Sequence, residues 1–395
     1  MAVATQVPGA ASRLPSLTGL RFVAAFAVFL GHGFSAVKLF EDPVAATMDK
    51  VTHVGGPIGV SFFFLLSGFV LAWSAGSRKR PDTTGGFLRR RVAKIYPNHL
   101  ATLLATVALT FLMVGQLPEW RYALPNLALV QAWFPDIRTV LSINLVSWSL
   151  SCELFFYLCF PLVYRWIRRI PADRLWYWVV GLAGAVVAVP FVAATMPPGE
   201  MVPYPLIPTW FVFYFPPVRL LEFVLGVLVA RTVAEGRWVR LGVGPAAVLA
   251  AAAFATAPHV MPLYNKAALT VVPLTLLIAA VALRDVRDET TGRPTGWLAS
   301  RPLVWLGEVS FAFYLVHYAL LAQSPAWLGL TLPLSTELAF ALVAGAFVAS
   351  LLLSWLLFRL VEEPAMRRFG RPRRRPVRPS VEAPRSERES AAVPS

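Results

Sequence analysis

Six ionisable side chains stand inside long apolar runs of this 395-residue sequence: Arg21, His32, Glu153, Arg219, Glu222 and His317. A charged group within a membrane span costs about 3 kcal/mol or more, so such residues usually mark a site. Arg21 and His32 are eleven residues apart on one helical run. At about 100° per residue the net rotation is about 20°, and the rise is roughly 16 Å, so both fall on one face at different depths. A neutral imidazole at such a depth is suited to general-base work, because it titrates close to working pH. Glu153 follows Trp148-Ser149-Leu150-Ser151-Cys152 near the start of another run. Its carboxylate needs a partner there. One pairing is with His32, where it would fix the tautomer and stabilise an imidazolium. The other is with Arg219, as a structural ion pair. Arg219 and Glu222 are three apart, hence neighbours on one helix face, and could equally pair with each other. His317 shares a face with Ser310 and Tyr314, as a hydrogen-bonded seam or as part of the chemistry. Cys152 and Cys159, seven residues apart on a helix, are roughly 10 Å from each other and form no bridge. Cys152 reads as inert packing.

The elements that must position these groups follow from composition. Hydrophobic residues make up 57% and charged residues 14%, against about 25% charged in soluble domains. Thirteen Trp suit two membrane–water interfaces. Spans of about 20 apolar residues are predicted at 17–37, 56–73, 97–115, 145–166, 175–195, 211–231, 241–257, 267–283, 304–323 and 337–360. The apolar stretch 124–134 is too short to cross and is expected to be re-entrant or interfacial. The chain is therefore expected to be an all-α polytopic membrane protein with about ten transmembrane helices. Sixteen basic residues fall in loops on one side and five on the other, which predicts both termini cytoplasmic. The net charge of +15 is thus a topology signal and an attraction to anionic lipid, not a nucleic-acid footprint. The expected organisation is a cytoplasmic segment over 1–13, one transmembrane domain over 14–369, and a disordered basic cytoplasmic tail over 370–395. Two patterns lie outside the single charges. Gly55-Gly56-Pro57-Ile58-Gly59 and Ser67-Gly68 allow close helix approach or a narrow slot. The cluster Arg89-Arg90-Arg91-Val92-Ala93-Lys94 obeys the positive-inside rule and would also hold phosphates.

On these residues the sequence resembles the acyltransferase-3 family of integral membrane O-acyltransferases. The motifs are Arg21 with His32; Ser61-Phe62-Phe63-Phe64-Leu65-Leu66-Ser67-Gly68-Phe69; Arg90-Arg91-Val92-Ala93-Lys94-Ile95-Tyr96-Pro97; the Trp148 to Tyr157 segment; and Leu306 to His317. Lys94 stands where the family commonly has a third Arg. Leu17-Thr18-Gly19-Leu20-Arg21-Phe22 resembles the actinobacterial branch, which includes acyltransferases that modify macrolides. No hydrolase-like domain is expected after the last helix, so the acceptor is expected to be handled within the membrane domain.

The resemblance implies transfer of an acetyl or other short acyl group from acyl-CoA, the co-substrate, to a hydroxyl of a sugar-containing acceptor in the plasma membrane. That acceptor would be a cell-envelope glycan or a macrolide-type metabolite. His32 and Glu153 would be catalytic. Arg21, Arg90, Arg91 and Lys94 would bind the donor, and Ser67, Ser149, Arg219, Glu222, Tyr314 and His317 would support the site. No tightly bound cofactor and no metal are expected. A secondary transporter of a small anionic or sugar substrate is the competing class, since midplane charges and Gly/Pro interruptions also describe it.

Overall fold

The computed structural model describes residues 14–78, 83–200, 204–292 and 296–370. The expected N-terminal segment and basic tail, and the loop cations Lys79, Arg80 and Arg293, lie outside these residues. Ten principal helices carry the fold: α1 (Pro15–Gly31), α2 (Gly55–Gly76), α3 (Thr84–Val114), α4 (Trp148–Ile167), α5 (Leu175–Ala194), α6 (Pro216–Ala234), α7 (Val243–Thr256), α8 (Ala267–Thr291), α9 (Arg301–Trp327) and α10 (Thr336–Leu357). Among the described residues, nine helices are long and apolar enough to cross a membrane. The expected tenth span is the exception. α7 has 14 residues, or about 21 Å, and ends in a 3-10 turn at Ala257–His259, against a hydrocarbon core of about 30 Å.

Helix approach is set by glycine. α2 and α6 cross where a Cβ on Gly68 would strike the Phe223 carbonyl and one on Gly226 the Leu65 carbonyl. With lipid as apolar as the helices, such backbone-to-backbone packing is what drives association. α1 lies between α2 and α9. Its first turn is anchored from α8: the backbone N–H of Ser16 donates to Asp285 Oδ2 at 2.9 Å. An acidic side chain from a second helix thus satisfies a helix-start donor that α1 cannot satisfy itself.

Between α3 and α4 the chain is irregular, with short helices at Trp120–Leu127 and Ile137–Val140. This includes the stretch expected not to cross, and it does not. Irregular backbone at membrane depth must have its polar groups met by protein. Here Asn126 Nδ2 donates to the Ser142 carbonyl (2.6 Å) and Ser147 Oγ (3.2 Å), while the Asn126 carbonyl meets His99 Nε2 at 3.0 Å. Asn144 Nδ2 donates to the Leu315 carbonyl at 2.9 Å. The start of α4 is therefore tied to the middle of α9.

Candidate active site

His32 is the first residue of a five-residue π-helical turn, His32–Ala36, that continues α1. Its Nδ1 lies 2.8 Å from Nε2 of His317, the two rings stacked at 5.1 Å. His317 is fully buried, with Nδ1 3.2 Å from the Phe313 carbonyl one turn earlier on α9. The Tyr318 ring stands edge-on to His32 at 5.1 Å. Phe29 and Phe313 wall the His317 side. His32 Nε2 faces Gly56, where an added Cβ would sit 3.8 Å away.

Neither partner expected for Glu153 is the one found. Glu153 accepts a hydrogen bond from Tyr157 Oη at 3.1 Å, and no bond to His32 occurs among the described residues. The physical reason is depth. Tyr314, midway along α9, takes a bond from Ser149 Oγ (3.0 Å) and gives one to the Val146 carbonyl (3.1 Å). α4 therefore starts in the interior rather than at the surface, and Glu153 lies one turn beyond Ser149, at the level of Arg21 instead of His32. Arg219 pairs with Glu222 at 3.1 Å and donates to Ser61 Oγ at 3.1 Å, its guanidinium 5.0 Å from the Phe64 ring centre. Both side chains are almost wholly enclosed, so this is a self-contained pair inside the α2–α6 crossing. Beside it, just before α8, burial and Arg219 bring the Lys266 ammonium down to about 8.

Three cavities run from the basic end of the bundle toward the histidines. The first, about 500 Å³, is lined by Arg78, Arg91, Arg165, Arg168, Phe87 and Tyr164, among others. The second, about 110 Å³, shares Arg91 with it and adds Arg21, Lys94, Ser67, Glu153 and Tyr157. The third, about 50 Å³, shares Arg21, Phe63 and Glu153 with the second and adds Val60, Ser149 and Tyr314. One stripe of α2 follows all three: Ser74 and Leu71, then Ser67 and Phe63, then Val60, ending at Gly56 against His32. Spacings of three and four keep these residues on one face, and the stripe covers roughly 27 Å at 1.5 Å per residue.

The middle cavity is electrostatically unbalanced. Arg21, Arg91 and Lys94 face Glu153 and, within Coulombic reach of Lys94, Glu362. Glu362 is buried and accepts from Asn98 Nδ2 at 2.8 Å. Three cations to two carboxylates in a low-dielectric interior favour an anionic ligand. Arg91 is further held over the Phe87 and Tyr157 rings.

Of the residues singled out in the sequence, the structure brings together Arg21, Arg91, Lys94, Ser67 and Glu153, separately His32 with His317, and Ser149 with Tyr314. Arg90 lines none of the three cavities, and Arg219 and Glu222 stand apart. Sequence reasoning missed Arg78 and Arg168 as cavity residues because their charge is accounted for by topology, and Arg165 because it falls at the inner end of the predicted span 145–166. It missed Glu362 because the last span was ended at residue 360.

The acyltransferase-domain family model matches residues 14–359. Acyltransferase MdmB of Streptomyces mycarofaciens is 44% identical over 381 residues, covering 94% of this chain and 96% of that protein. The exopolysaccharide production protein ExoZ of Rhizobium meliloti is 28% identical, covering 81% and 92%. O-acetyltransferase OatA of Staphylococcus aureus is 24% identical, covering 78% of this chain and 50% of that protein. No solved structure matches. These matches decide between enzyme and transporter in favour of the enzyme. With nine membrane-length helices and an acyltransferase domain across nearly its whole described length, the chain is a multi-pass membrane acyltransferase and belongs to the acyltransferase-3 family.

Proposed function

We propose that this acyltransferase moves an acetyl or other short acyl group from acyl-CoA to a hydroxyl of a sugar-bearing acceptor, a cell-envelope glycan or a macrolide-type metabolite. The observation that carries the proposal is the string of cavities that begins among arginines and leads toward His32. A donor with phosphates at one end and a thioester at the end of a thin arm fits that gradient. The wide mouth has Arg78, Arg91, Arg165 and Arg168 for phosphate oxygens, and Arg makes bidentate contacts to them. The narrow continuation along α2 suits an unbranched arm. Glycan acceptors are supported by the relative named for exopolysaccharide production, and acetyl transfer by the one named O-acetyltransferase. The Streptomyces relative supports the metabolite branch only through its source.

In this reading the acceptor hydroxyl meets the thioester at His32. His32 Nε2 removes the hydroxyl proton as the oxygen attacks the carbonyl carbon. The C–S bond breaks, the ester C–O bond remains, and the departing thiolate takes the proton. Transient acylation of Nε2 is the variant with the same reacting atom. α7 leads from the end of α5 where Trp176 meets Arg237 to the end where Phe191 meets Tyr264, so despite its shortness it counts as a tenth pass. With the basic end, and its loop cations, on the cytoplasmic side of a plasma membrane, both termini are cytoplasmic.

The test uses membranes containing the full-length protein and acetyl-CoA labelled in its acetyl group. Label should pass to envelope glycans or to a co-supplied macrolide. His32→Ala should insert normally and lose transfer by about 100-fold or more. Transfer at the wild-type rate by that variant, at matched expression, removes the assignment.

A further inference from the structure

We propose that His317 is a positioning residue that fixes His32 in the Nδ1–H tautomer, leaving the Nε2 lone pair as the reacting atom. The inference rests on the acyltransferase reading and assigns one atom within it.

The argument is a hydrogen count along a two-ring chain. The Phe313 carbonyl can only accept, so the 3.2 Å contact requires a proton on His317 Nδ1. A neutral imidazole has a single N–H, so His317 Nε2 is then a lone pair. The 2.8 Å contact between that atom and His32 Nδ1 requires a proton on His32 Nδ1. By the same single-proton rule His32 Nε2 is bare. The α9 backbone therefore dictates, through His317, which nitrogen of a residue on α1 is basic. The arrangement is directional. His32 Nε2 faces Gly56, where the α2 stripe shared with the cavities ends, while His317 is sealed behind Phe29 and Phe313.

The chain also survives proton transfer. When Nε2 takes the acceptor proton, His32 carries N–H on both nitrogens, and Nδ1–H still donates to His317 Nε2. No proton leaves His317. The acyl–sulfur bond breaks, the acyl–oxygen bond forms, and Nε2 returns its proton to the thiolate. The orienting group is thus a neutral ring rather than the carboxylate that performs this task in a Ser-His-Asp arrangement.

Two readouts separate tautomer control from mere packing. The sequence contains five histidines, so ring-nitrogen-labelled histidine gives a resolvable set of NMR signals from the full-length protein in lipid nanodiscs. His32, identified by its loss in His32→Ala, should show protonated Nδ1 and bare Nε2. In His317→Ala that preference should be lost. In steady-state transfer, His317→Ala should lower kcat by about 100-fold, the scale of general acid–base assistance, with the donor KM within about 2-fold. His317→Gln, whose amide oxygen can still accept from Nδ1–H, should recover at least about 10-fold of that loss, read against His317→Ala. A protonated Nε2 on resting His32 overturns the proposal, as does full kcat in His317→Ala. Either result leaves the function standing, whereas undiminished turnover in His32→Ala removes the function itself.

Discussion

Around Glu153 the balance of charge makes a definite kinetic prediction. The carboxylate lines the middle cavity with Arg21, Arg91 and Lys94 and accepts from Tyr157. Glu153→Gln keeps the shape and removes one of two negative charges from a site with three positive ones. Anion binding should tighten. The apparent KM for acyl-CoA should fall several-fold, kcat should fall as CoA release slows, and both effects should weaken with added salt if the mouth cations share the load. Initial rates at two ionic strengths measure this. An unchanged donor KM with kcat lost by about 10⁴-fold would instead mark a carboxylate acting directly on the imidazole. Gly56 supplies a second residue-scale prediction. A methyl there would stand 3.8 Å from His32 Nε2 and meet no other atom within 4 Å. Gly56→Ala should keep the melting temperature and lower kcat by about 10-fold or more, because it occupies space at the reacting nitrogen.

At the scale of elements, α1 is the part whose placement matters most, since it carries both Arg21 and His32. Asp285 on α8 holds its first turn through Ser16 N–H. Asp285→Ala leaves that donor unpaired in the interior and should cost about 1–2 kcal/mol, seen as a lower melting temperature in nanodiscs. Asp285→Asn, whose amide oxygen still accepts, should restore most of it. These elements differ in how far the sequence announces them. Nine spans are legible because about 20 apolar residues are a long signal. The Arg21–His32 face is legible because both lie on one helix. α7 is the least legible of the ten, because its helix of 14 residues and the 3-10 turn that follows, at 243–259, are shorter than the usual membrane-crossing length. The interior start of α4 is invisible in hydropathy. It depends on side chains such as Asn144 and Asn126 satisfying irregular backbone. The His32–His317 contact spans 285 residues of chain, and no local pattern encodes it.

For the molecule as a whole, one end is basic and wide and the path narrows toward His32, with cavities of about 500, 110 and 50 Å³ in that order. A donor with its charge at one end would be oriented by this gradient before it reaches the histidine. Neutralising Arg165 and Arg168 together, as Arg165→Gln with Arg168→Gln, should raise the donor KM by about 10-fold and leave kcat near wild type. Cysteine labelling of the loops must accompany that measurement, because lost cations also weaken orientation in the membrane.

The central claim is that the cavity string delivers a thioester to His32. Its most direct test is release of CoA thiol from acetyl-CoA by purified protein in nanodiscs, with a glycan extract or a macrolide as acceptor. Wild type should release thiol in step with acyl transfer. His32→Ala should bind CoA with unchanged affinity and release thiol at about one-hundredth of the rate or less. Thiol release by His32→Ala at the wild-type rate, or none from wild type with any such acceptor, would contradict the account.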